Sequence, residues 1–122
     1  MASIEADSRV MTRCKAYDDW NQLNPKGFEY DYDYIENLSR EDTQWLYGPE
    51  RAFIDRYSMS YPREDRARII EYAMMDGNQD FFESETMQKK LRQLCIGIRE
   101  AFGMKHYTGA LIWEQYLKEP IT

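Results

Sequence analysis

The chain has 122 residues, two cysteines, 22 acidic against 16 basic side chains and a net charge of −6. That length suits a single domain, and 43% hydrophobic with 15% aromatic residues is enough for a core. The acidic balance argues against general nucleic-acid binding, no apolar run approaches the ~20 residues of a membrane span, and two cysteines are too few for a disulfide scaffold.

Residues 3–14 fit a helix, with Ile4, Ala6 or Asp7, Met11 and Cys14 approximating one stripe. The first eight residues are acidic and lack the basic and apolar regions of a signal peptide, so an exported parent would carry its signal upstream. From Tyr17 to Gly27 the periodicity breaks, and Asn21, Asn24, Pro25 and Gly27 are turn formers. Phe28 to Tyr34 alternates aromatic and acidic residues, which fits a short strand with one aromatic face or a solvated acidic loop with aromatic anchors. It lacks the Asp-x-Asp-x-Asp-Gly spacing of a calcium loop.

Ser39 to Asp42 is compatible with a short helix start, Tyr47-Gly48-Pro49 interrupts it, and Glu50 to Tyr57 fits a helical turn or two. The next helix starts near Pro62, with Ala67, Ile70 and Met74 on one stripe, Ile69 and Ala73 beside it, and Asp76-Gly77-Asn78 as its stop. The clearest element runs from about Ser84 to Phe102. Met87, Leu91, Leu94, Cys95, Ile98, Ala101 and Phe102 recur at helical spacing, while Lys89, Lys90, Arg92 and Arg99 fall on other faces and read as solvated. Gly103 follows as a cap, with Met104 set for the accompanying contact. His106 reads as a surface residue, and a last helix over about Thr108 to Leu117 offers Leu111, Ile112, Trp113, Tyr116 and Leu117 to the core. Cys14 and Cys95 read as two buried small hydrophobes, or as one bridge in an exported protein. The fold class is mainly α, about four to six helices with at most one short strand pair.

Two segments point to chemistry. In Phe53 to Ala67 an aromatic-rich loop enters a helix through Glu64-Asp65-Arg66-Ala67, and Tyr57 precedes Glu64 by seven residues. With Tyr61 as N-cap, Glu64 is the N3 residue, where a carboxylate favours the helix dipole whatever else it does. This pattern resembles the rear half of gluzincin zinc peptidases, especially the anthrax lethal factor-like group. The run Trp20-Asn21-Gln22-Leu23-Asn24-Pro25-Lys26-Gly27-Phe28-Glu29-Tyr30 is similar to a segment of bacterial zinc-binding peptidases lying between their His-Glu-x-x-His helix and the third ligand.

The resemblance covers about residues 3–76. It implies part of a zincin-like fold, with Glu64 as third zinc ligand and Tyr57 as the residue that steadies the oxyanion. Two departures stand against it. His-Glu-x-x-His is absent, His106 being the single histidine, and Arg68 stands where relatives often carry a second acid, free to pair with Glu64 instead. The expectation is therefore the rear part of a zinc peptidase, inactive alone. Zinc and a peptide or protein substrate belong to the complete protein, with no cofactor expected in this chain. A homodimer, or association with the missing segment, would cover apolar surface near Tyr57, Ala67 and Ile70. The rival expectation is a self-contained helical module that binds a protein partner.

Overall fold

The computed structural model describes residues 19–31, 45–104 and 107–121. These residues are mainly helical. Helix α1 spans Pro62–Ala73 and helix α2 spans Glu85–Ala101, joined to single 3-10 turns at Trp20–Leu23, Gly48–Glu50, Arg56–Met59, Gln79–Phe82 and Ile112–Glu114. The expected count of four to six helices is not matched. The last expected helix is only the turn Ile112–Glu114, and Glu50 to Tyr57 contains extended chain before the turn Arg56–Met59. The expected helix over 3–14, the start at Ser39 to Asp42, Cys14 and His106 lie outside the described residues.

No strand occurs among the described residues, so the strand option for residues 28–31 is corrected. The alternation nonetheless does what its period dictates. Phe28 and Tyr30 share a side, with ring centroids 5.0 Å apart and both against Phe53, at 4.5 and 6.3 Å. What is missing is a ladder. The backbone ties here are a turn bond from the Phe28 N–H to the Pro25 carbonyl at 3.0 Å and a bond from the Asp31 N–H to the Met59 carbonyl at 2.8 Å.

Both helices begin as their sequences prescribe. Tyr61 is the extended N-cap of α1, Pro62 holds N1, and Glu64 and Asp65 lie in the first turn. Ser84 caps α2 by accepting from the Met87 N–H at 3.1 Å and donating its hydroxyl to the Arg51 carbonyl at 2.6 Å. At the other end Met104 N–H donates to Arg99 C=O and Gly103 N–H to Glu100 C=O, the paired bonds of a Schellman ending. Gly103 takes φ 66° there, a left-handed value that a side chain resists.

The buried stripes differ from the expected ones. On α1 the inward residues are Asp65, Arg66, Ile69 and Ala73, whereas Ala67 and Met74 face water and Ile70 is half-buried. The expected Ala67–Ile70–Met74 stripe is thus rotated away from the core. On α2 the buried set is Met87, Lys90, Leu91, Leu94, Cys95, Gly97 and Arg99, and Phe102 is exposed. Lys90 and Arg99, read as solvated, are therefore interior.

Apolar packing forms two clusters. The larger gathers Trp20, Ile54, Ile69, Ala73, Phe82 and the α2 face from Met87 to Cys95, with Trp113, Tyr116 and Leu117 laid against it. The smaller contains Leu46, Ala52, Phe53 and Met59, with Phe28 and Trp45 beside them. Tyr30 packs on both.

Candidate functional site

Glu64 lies in the first turn of α1, and Tyr57 lies in the turn Arg56–Met59 that packs against that helix. Asp55 caps that turn, its carboxylate accepting from the Ser58 N–H and hydroxyl, both at 3.0 Å. The Ser60 hydroxyl donates to the Tyr57 carbonyl at 2.6 Å and closes the bend into α1. Arg68 stands one helical turn after Glu64 on the same face. Its guanidinium lies 5.0 Å from the centre of the Tyr57 ring, and it pairs with Asp55 and Glu71 at 3.5 Å each. Arg68 thus spans the space between α1 and the Tyr57 turn, and the expected pairing with Glu64 is replaced by Asp55 and Glu71.

At the positive end of α1 stands the half-buried Glu64 carboxylate, and one turn further on the Arg68 guanidinium lies over the Tyr57 phenol. Tyr57 is 38% exposed, so its hydroxyl is not in the dry surroundings where an oxyanion bond is strongest. A zinc ion was tested against this donor set. A zinc site takes at least three protein ligands, and among the described residues no group of three or more His, Cys, Asp or Glu comes together. The neighbouring carboxylates of Asp55 and Glu71 are engaged by Arg68, so the described residues do not by themselves fit a zinc ion.

Directly behind Glu64 lies a polar knot that sequence reasoning missed. Asp65 and Lys90 are completely buried. The Lys90 ammonium donates to Asp65 Oδ2 at 2.8 Å and to the Ala52 carbonyl at 2.7 Å, and it sits 3.8 Å from the centre of the Phe53 ring. The Tyr30 hydroxyl donates to the same Asp65 oxygen at 2.8 Å while accepting from Trp20 Nε1 and Asn24 Nδ2, each at 3.0 Å. Burial pushes the Asp65 carboxyl up and the Lys90 ammonium down, and their mutual charge opposes both shifts. Burial, then the Asp65 charge, raises the Tyr30 phenol. Asp65 and Lys90, both fully buried, are out of a substrate's reach, although Tyr30 and Asn24 line an open pocket. The knot instead fixes the first turn of α1 against α2 and joins the two apolar clusters at Lys90 and Tyr30.

A second knot closes the far end of α2. Arg99 donates to both Glu114 oxygens, at 2.7 and 2.8 Å, and to the carbonyls of Tyr107 and Gly109 at 2.7 Å. Glu114 also accepts from the Leu111 N–H at 3.1 Å. Burial would raise the Glu114 carboxyl, but the bonds from Arg99 and Leu111 outweigh it and hold the group below its ordinary range. Cys95 is a free thiol in the core, pushed up to about 12 by burial and by the nearby Glu114 charge, and so an inert one.

No described helix is long and apolar enough to cross a membrane. No protein-family model, curated protein or solved structure matches the chain.

Proposed function

We propose that this chain is the rear portion of a zinc-peptidase-type catalytic unit, silent by itself, whose part is to present Glu64 and Tyr57 on one rigid face. The observation that supports this reading is the Arg68 bridge, which puts the carboxylate's helix and the phenol's turn in one fixed relation. Behind that face the Asp65–Lys90–Tyr30 knot immobilises the residue next to Glu64. A ligand-bearing helix needs such support, because positioning within about 0.5 Å governs metal affinity and catalysis. The histidines and general base would come from a segment preceding residue 3. The test is the coding sequence immediately upstream. Codons for His-Glu-x-x-His in frame, or one frameshift away, are expected, and a promoter and start site with no such codons would overturn the proposal.

A second reading, a helical module that binds a protein partner, is favoured by one observation. Ala67 on the outer face of α1, and Met74 and Met75 just after its last turn, stand in water instead of in the core.

A further inference from the structure

The solvent side of α1 carries Arg63, Ala67 and Glu71 in a single line, at i, i+4 and i+8. All three are exposed, and Met74 and Met75 beside them are 44% and 51% exposed. The Arg63 guanidinium rests on the Tyr61 ring, 5.2 Å from its centre, and meets no carboxylate among the described residues. Glu71 touches Arg68 at 3.5 Å and keeps 56% of its side chain in water. This line starts with a cation, has a methyl group at its middle and ends with an anion. Such a pattern is complementary to itself when one copy is reversed.

We infer that this face seats a second copy of the chain, as an antiparallel contact between the two α1 helices about a two-fold axis through Ala67. The axis sets Arg63 of each protomer against the partner's Glu71, so the charge pair occurs twice, as an isologous contact requires. Ala67 at the crossing lets the helix axes approach to the short end of the usual 8–10 Å range. Met74 and Met75 flank the crossing at both ends, and their unbranched side chains adapt to an apolar neighbour. Antiparallel alignment also brings the positive end of each helix towards the negative end of the other. This inference is independent of the proposed catalytic role.

Sedimentation of the whole chain over a concentration series tests it, with Arg63→Glu, Glu71→Arg and the double variant measured alongside. The wild type is expected to show a monomer–dimer equilibrium. Each single reversal sets like charge against like, twice, and should weaken the dimer at least about tenfold. The double reversal restores opposite charges across the axis and should return the dimer to within about threefold of the wild type. Both positions are exposed and the Arg68–Glu71 pair is a solvated one, so melting curves taken at dilutions where every variant is monomeric should lie close together and separate assembly from folding. A wild type that stays monomeric at its highest soluble concentration would overturn the inference. So would a dimer indifferent to the single reversals, or a double variant weaker than both.

Discussion

Lys90 carries the largest lesson at the scale of single residues. Its charge suggests a solvated position, and its spacing, three residues after Met87, one before Leu91 and four before Leu94, sets it at the edge of the apolar arc. Spacing therefore left the direction open, and residue type pointed out. What no local pattern supplies is the partner, since Asp65 lies 25 residues away in sequence. With the ammonium held by Asp65, Ala52 and the Phe53 ring, Lys90→Ala strands a buried carboxylate and should cost about 3–5 kcal/mol in urea unfolding. That replaces the cost of less than about 0.5 kcal/mol that a surface lysine would carry. Changing both partners, as Asp65→Leu with Lys90→Met, should cost less than Lys90→Ala, because no charge is left alone. Equal small effects of all these variants would show that the pair is solvated. Glu114 makes a pH-dependent counterpart. Its folded pKa is depressed, so its contribution is present above the ordinary carboxylate value of about 4.3 and fades as pH falls through the lower, folded one. The stability gap between wild type and Glu114→Gln should therefore be full near neutrality and narrow below pH about 4. A gap that is constant down to pH 3 would contradict the ion pair with Arg99.

Among the elements, α2 was the most legible because two signals agree on it. A long apolar arc and a Gly after the last turn both point to one helix, observed as Glu85–Ala101. Leu94→Ala should remove about 2–5 kcal/mol from this fully buried position, and Ser84→Ala about 1 kcal/mol more locally, both by chemical denaturation. A Leu94 variant no weaker than the Ser84 one would mean that the core face is wrongly placed. Helix α1 was legible in its start and stop but not in its rotation. Ala67, Ile70 and Met74 form an apolar line, and so do Ile69 and Ala73, and the second line wins because Asp65 and Arg66 go inward with it. Buried charge on the inner face hides the direction of that face from any count of apolar residues. The last segment shows the opposite limit. Its apolar residues do reach the core through Trp113, Tyr116 and Leu117, but as a turn held by side chains. Gln115 Nε2 donates to the Ala73 carbonyl at 2.8 Å, and the Tyr116 hydroxyl donates to the Met75 carbonyl. Those are long-range bonds, and composition gives no warning of them.

For the molecule as a whole, two apolar clusters meet at a desolvated charge pair, whose Asp65 is the neighbour of Glu64 in the first turn of α1. The Glu-Asp pair of the sequence thus divides its work, Asp65 turning in to lock the helix and Glu64 remaining on the open side. The resemblance to zinc peptidases is what made Glu64 and Tyr57 candidates. It could not show that Arg68 joins their elements, because that contact depends on how the Tyr57 turn folds against α1. On the proposed reading, the chain contributes one part of a metal site and does not complete it. Calorimetric titration of the whole chain with zinc at neutral pH tests this most directly, with Glu64→Gln as the control. The account predicts no stoichiometric binding at sub-micromolar affinity and no difference between the two proteins. One zinc per chain bound at sub-micromolar affinity and lost in Glu64→Gln would contradict it.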